Sequence, residues 1–328
     1  MSRVYEAVIV LLSGCLPSTS IAPMEILGTA GVLWDTFQGA QGAPLFRVRA
    51  VSIDGRPTHN MIPVSITPEC SIGDVRHADL IIVPAAGSDL GEICATNALL
   101  IPWLQKWYRR GAAIAGICTG VSLVAEAGLL DGKPGTSHWA FIPKFQERYP
   151  SVDWQPERFV TESDNVFCSG GVYASIDLSL YLVEKFGGHK MAMETARALL
   201  LETPRMWQAT YAGEPPAAAH NDLPVQKAQQ YLFKNFREEL TVDDLAERVG
   251  MSPRNFARRF KAAAGDTPLG YLHRLRINAA KHLLESGSVS VQEVCAAVGY
   301  EDVTFFRRLF KRFTGVPPRE YRVRFGAA

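Results

Sequence analysis

No apolar run in this sequence approaches the ~18 residues that a membrane-spanning helix needs, so a helical membrane protein is excluded as a reading. Cysteine is scarce. The 6 in 328 residues (Cys15, Cys70, Cys94, Cys118, Cys168 and Cys295) include no pair at zinc-ligand spacing. That pattern argues against a disulfide scaffold and fits a reduced, cytoplasmic setting. Motifs for a metal, a nucleotide or a nicotinamide are missing, so no cofactor is expected. Charge of one sign is missing too, with 34 Lys+Arg against 33 Asp+Glu. What is present is ordinary for a globular chain. Hydrophobic residues make up 47%, and the length predicts two domains with substantial cores.

Near the start, Leu12-Ser13-Gly14-Cys15 after an apolar run has the outline of a lipoprotein cleavage box. Glu6 interrupts that start, however, and Ala7–Leu12 is shorter than the usual ~7–15-residue apolar region of a signal. A buried first strand is the expectation, without export or membrane attachment.

Charge is partitioned along the chain. Residues 1–220 hold 16 Lys+Arg and 21 Asp+Glu, whereas residues 221–328 hold 18 and 12, so a net −5 precedes a net +6. A basic unit fused to an acidic one points to nucleic acid as the partner of the second half, against the blander alternative of a solvated basic surface. Pro204, Pro215, Pro216 and Pro224, with Ala and Gly between them, deny helix continuation. A linker over 203–222 is therefore expected between domains 1–202 and 223–328.

Strands and helices alternate in the first half. Val4–Leu12, Phe46–Ile53, Met61–Ile66, Leu80–Val83 and Ala112–Ile117 read as strands. Ser20–Leu33, Leu99–Arg110, Val121–Ala127, Tyr173–Phe186 and Lys190–Leu201 read as helices. The expected fold class is a doubly wound α/β domain on a parallel sheet, whose ligands bind beyond the carboxyl ends of strands.

At one such end stands Gly116-Ile117-Cys118-Thr119-Gly120, between an apolar strand and a helix. This is the context of a nucleophile elbow. A helix N-terminus beneath Cys118 is expected to lower its thiol pKa, making it a candidate nucleophile, redox sensor or pocket residue. A small buried residue at a tight turn is the competing reading.

The elbow, Leu129-Leu130-Asp131-Gly132 and Thr136-Ser137-His138-Trp139 resemble the class I glutamine amidotransferase-like domain, more closely the version in GlxA-type regulators. Ser169–Leu178 is similar to that family's later strand-to-helix motif, and Pro23-Met24-Glu25 to its acidic position beside the cysteine. The resemblance covers roughly residues 4–200. It implies an effector pocket of Glu25, Cys118, Thr119, His138, Trp139 and Asp177. PfpI-type proteases carry His directly after the Cys, where this chain has Thr119. A catalytic pair of Cys118 and His138 is therefore the alternative, and no catalysis is the expectation.

The second half contains a repeat. Leu240–Tyr271 matches Val289–Tyr321 at an offset of 49 to the turn glycines Gly250 and Gly299, and of 50 after them. Thr241 with Asp244, and Ser290 with Glu293, read as capping boxes opening the first helix of two helix-turn-helix units, at 241–264 and 290–314. One small core is expected from Leu245, Val249, Phe256 and Phe260, and another from Val294, Val298, Phe306, Phe310 and Phe313. Opposite these lie Arg254, Arg258 and Lys261 in one copy, and Thr304, Arg308, Lys311 and Arg312 in the other, with Arg307 on the flank. Such a basic face suits a major groove.

This half resembles the AraC/XylS DNA-binding domain through Gly299-Tyr300 and Phe310 to Arg322. The resemblance implies base contacts from Arg254, Ala257 and Arg258, then Thr304, Arg307 and Arg308, with Leu269–Ser286 joining the units. The expected protein is a DNA-binding transcriptional regulator, on family grounds an activator. Its partners would be promoter DNA, a small, possibly nitrogen-containing effector, a second copy and RNA polymerase. A cysteine hydrolase fused to a DNA-binding domain is the alternative.

Overall fold

The computed structural model describes residues 3–201, 220, 222–285 and 289–325. The chain divides into two compact units, residues 1–208 and 209–328. The linker expected at 203–222 lies outside the described residues apart from His220 and Asp222, as do Trp207 and Ser286.

The first unit is built on seven strands: β1 (Tyr5–Val10), β2 (Phe46–Ser52), β3 (Cys70–Ser71), β4 (Leu80–Val83), β5 (Ala113–Ile117), β6 (Val160–Ser163) and β7 (Val166–Ser169). They run β6-β7-β5-β4-β1-β2-β3 across one sheet. All neighbours are parallel except the edge pair β6–β7. The helices are α1 (Ser18–Thr29), α2 (Leu33–Phe37), α3 (Leu90–Thr96), α4 (Leu100–Arg109), α5 (Val121–Glu126), α6 (Ile142–Arg148), α7 (Ala174–Gly187) and α8 (His189–Ala198).

Strand alternation feeds two cores. Val8, Val10, Ile81, Val83 and Ile114 point to the face covered by α3, α4, α5 and α6. Ala7, Ile9, Leu80, Ile82 and Ala115 point to the face covered by α1, α7 and α8. Burial on both faces explains why the central strands read as continuous apolar runs.

Three sequence expectations need correction. Ser20–Leu33 is two helices, because the chain turns at Gly31 with φ 78°. Met61–Ile66 is not a sheet strand: only Ser65–Ile66 pairs, with Thr58–His59, in a separate hairpin. Met61 is 67% exposed, and Pro63 supplies no ladder donor. The sheet also carries the antiparallel edge strand β6, turned back on β7 through Asp164 and Asn165, both at positive φ.

The second unit is all helical: α9 (Leu223–Asn235), α10 (Val242–Arg248), α11 (Pro253–Ala264), α12 (Pro268–Glu285), α13 (Val291–Ala297), α14 (Val303–Thr314) and α15 (Pro318–Phe325). Both capping boxes form, Thr241 with Asp244 and Ser290 with Glu293. Phe256 and Phe260 are fully buried in one core. Phe306, Phe310 and Val294 are fully buried in the other. Val249 and Phe313 pack only partly buried at their margins.

Each small core rests on very few large side chains. Phe306→Ala is expected to destabilise the second unit by about 3–5 kcal/mol, read as a lowered denaturation midpoint at unchanged slope. A loss below ~1 kcal/mol would mean that this core does not hold the unit together.

Candidate functional site

Three neighbouring parallel strands, β7, β5 and β4, end side by side and carry the first candidate site at their carboxyl ends. The elbow follows β5. Gly120 presses its backbone against the end of β4, where an added Cβ would overlap the Pro84 carbonyl. That approach forces Cys118 to φ 53°, a left-handed conformation uncommon for a side-chain-bearing residue. Thr119 is pinned to the same β4 loop: its Oγ1 accepts from Ala86 N at 3.1 Å and donates to Gly87 O at 3.1 Å. Ser137 Oγ donates to the Cys118 carbonyl at 2.7 Å, tying the segment before His138 to the elbow.

The electrostatics reverse one expectation. Cys118 is 4% exposed, and burial pushes its thiol up to about 11. The backbone N–H groups of Thr119 and His138 pull the other way without prevailing. The thiol pKa is therefore not lowered by the elbow: the desolvation penalty on a thiolate exceeds what the short helix end supplies. His138 is half-buried, and burial moves its pKa below the ordinary value. Its Nδ1 accepts from Ala140 N at 3.2 Å. A neutral imidazole with that nitrogen accepting carries its proton on Nε2 and donates from there.

Trp139 is half-buried beside His138, with ring centroids 5.4 Å apart. Asp177 is buried in the first turn of α7, which follows β7. Glu25 lies differently. It is exposed on α1, while its neighbours Ile26 and Leu27 turn into the core.

The second candidate site is the outer face of α11 and α14. Arg254, Arg258 and Lys261 are exposed on α11, and Ala257 is half-buried. Arg258 Nη2 donates to Asn255 Oδ1 at 3.0 Å. On α14, Thr304, Arg307, Arg308, Lys311 and Arg312 are all exposed. Asp302 caps that helix, accepting from Thr304 N at 2.7 Å and Phe305 N at 3.1 Å. Each helix thus offers a cationic face opposite its buried phenylalanines, as a groove-reading element requires.

Sequence reasoning missed Asp302, the Ser137 tether and the Thr119 bonds. Asp302 had a signal: an acidic residue directly before a helical pattern. The other two depend on segments distant in sequence and had none. Among the described residues, no His, Cys, Asp and Glu cluster is placed to hold a metal ion. No helix among them is long and apolar enough to cross a membrane.

Comparison with known proteins agrees with this geometry. The DJ-1/PfpI family model matches residues 24–185, and a helix-turn-helix domain model matches residues 245–324. The HTH-type transcriptional regulator CdhR of Pseudomonas aeruginosa is 32% identical over 289 residues, spanning 86% of this chain and 83% of its own. The HTH-type transcriptional regulator GlxA of Rhizobium meliloti is 25% identical over 291 residues, spanning 83% of this chain and 88% of its own. Drosophila melanogaster DJ-1beta superposes with a TM-score of 0.51 at 21% identity, covering 62% of this chain and 100% of its own. That likeness shows the fold of the first unit. The chain belongs to the GlxA-type AraC family of HTH-type transcriptional regulators, in which a DJ-1/PfpI domain is joined to a DNA-binding helix-turn-helix domain.

Proposed function

We propose that the first unit is a non-catalytic sensor. It would bind a small nitrogen-containing effector at Glu25, Cys118, Thr119, His138, Trp139 and Asp177. The observation that carries this reading is the state of the elbow: a buried thiol pushed up to about 11 beside an imidazole whose Nδ1 is already engaged. Attack needs a thiolate and a base; here the thiol keeps its proton at neutral pH and the His138 Nδ1 lone pair is taken up by the Ala140 N–H. Domain 1–202 would sense and pair subunits, and 223–328 would bind promoter DNA. A homodimer working in the cytoplasm, with RNA polymerase as a further partner and activation as its effect, completes the reading.

On the DNA side, Arg254, Ala257 and Arg258 from α11, and Thr304, Arg307 and Arg308 from α14, would face base edges. Lys261, Lys311 and Arg312 would then neutralise phosphates. Genome-wide mapping of occupancy in the host cell tests the regulator reading. A few sharp peaks are expected, changing in height but not in position when the effector supply changes. A folded, expressed protein with no peaks under any supply would overturn it.

Two narrower outcomes follow from the geometry. Alkylation of Cys118, followed by mass spectrometry on the native protein, should stay slow near neutrality and rise as pH approaches a midpoint of about 11. A midpoint near the ordinary ~8.5 would revive the hydrolase alternative. Arg308→Ala should cost about 1–3 kcal/mol in DNA affinity and relax preference at one base position. Equal loss on every sequence, with a shallower salt dependence, would mean that Arg308 contacts only phosphate.

A further inference from the structure

The two helix-turn-helix units are copies in sequence but are not docked alike. At the first turn glycine, Gly250, an added Cβ would meet nothing within 4 Å. At its counterpart Gly299 the same atom would overlap the Arg237 carbonyl, just past the end of α9. The turn of the second helix-turn-helix therefore rests on the backbone that leads from α9 into the first helix-turn-helix.

Around that contact, three side chains close the joint. Arg276, on the connecting helix α12, is only 7% exposed. Its Nε donates to Phe236 O at 2.6 Å and its Nη2 to Glu238 O at 2.7 Å. These are carbonyls of the segment that follows α9, so one guanidinium ties down two points of that segment. The same guanidinium carbon lies 4.8 Å from the ring centroid of Tyr300, the residue after Gly299. Tyr300 is 7% exposed, and its hydroxyl meets His273 Nδ1, also on α12, at 2.7 Å. The His273 and Tyr300 rings stack at 6.0 Å. Tyr300 and His273 both contact Phe305 in the first turn of α14, at 5.8 and 6.1 Å. The segment after α9, the connecting helix α12 and the second recognition helix α14 are thus joined through one polar and aromatic cluster.

We propose that Arg276, Tyr300 and His273 form a latch that sets the separation of α11 and α14, so that the protein accepts two DNA segments at one spacing only. This rests on the DNA-reading assignment of those two helices. These are positioning residues, since none of the three belongs to the basic faces. The physical argument is stiffness. α12 enters both small cores, with Leu272 in one and Ile277, Ala280 and Leu284 in the other. The Tyr300 ring, in contact with the Arg276 guanidinium and the His273 imidazole, ties the turn of the second copy to the middle of that helix against tilt and rotation. One inserted base pair moves the second half-site by roughly 3.4 Å and turns it by about 35°. A latched pair cannot follow that displacement without losing contacts at one half-site.

The test uses the full chain and a site taken from the occupancy map, with its two segments moved apart or together by one base pair. Wild type should lose about ten-fold or more in affinity on either altered spacing. Arg276→Met should lose less than about three-fold, and Tyr300→Phe, which keeps the ring but not the hydroxyl bond, should fall between. Affinity for DNA carrying a single segment should be unchanged in both variants, an outcome that simple destabilisation would not give. If Arg276→Met fails to fold by circular dichroism, Tyr300→Phe alone decides. Wild-type tolerance of altered spacing, or the full wild-type penalty in every folded variant, overturns the latch. Absence of any specific wild-type binding to the mapped site would instead sink the DNA-reading assignment itself.

Discussion

The character of the first unit depends on one close approach: the backbone of Gly120 lying against the Pro84 carbonyl at the end of β4. No side chain fits between the two, so the turn after β5 is tight and Cys118 is held at φ 53° inside the protein. Burial then decides the chemistry, because a thiolate without water is costly and the proton stays on sulfur. Thr119 belongs to the same constraint, since its hydroxyl bonds to Ala86 and Gly87 of the loop that Gly120 touches. A histidine at that position would forfeit these bonds. The departure from the PfpI pattern is therefore structural as well as chemical.

In the second unit the governing constraint is duplication under different boundary conditions. Both copies have a capping box, a positive-φ turn glycine and two fully buried phenylalanines on the recognition helix. Their outer faces differ. The half-buried Ala257 answers the exposed Arg307 and Arg254 answers Thr304, so each copy offers two guanidiniums to base edges but at different positions, Arg254 and Arg258 against Arg307 and Arg308. Their seats differ as well, since Gly299 rests on backbone that Gly250 does not touch. A repeat keeps its internal packing because Phe306 needs what Phe256 needs. It diverges where each copy meets a different neighbour.

These distinctions mark how far the sequence could be read. Central strands such as Leu80–Val83, both capping boxes and the buried faces of α11 and α14 were legible, because each is written in spacing within a dozen residues. The antiparallel turn of β6 on β7 was not, because Asp164-Asn165 is a local signal that the alternation of longer strands and helices obscures. Met61–Ile66 misled because apolar composition alone does not say whether a segment joins a sheet or leaves it in a hairpin. At the candidate sites, the exposed basic residues were legible from helical phase. The state of Cys118 was not, since its pKa depends on burial by segments distant in the chain. Nor was the role of Arg276, whose partners, at Phe236, Glu238 and Tyr300, lie 24 to 40 positions away.

A stiff DNA-binding unit also constrains how an effector can act on it. A ligand shifts an equilibrium only by its difference in affinity for two states. Moving a population from 1:99 to 99:1 takes about 10⁴-fold, or ~5.5 kcal/mol. Spending that difference inside the second unit would mean unmaking the bonds from Arg276 to Phe236 and Glu238. Each of those is a charged donor on a backbone carbonyl, and hydrogen bonds to charged groups contribute about 1.5–3 kcal/mol apiece. The two together would consume most of the available energy for no gain in contact. Under the proposed reading, control falls more readily outside that unit, on the association of subunits or on a contact with polymerase. With α11 and α14 held as one reader, the effector would then govern whether the protein engages its promoter productively, and the DNA sequence that it recognises would stay the same.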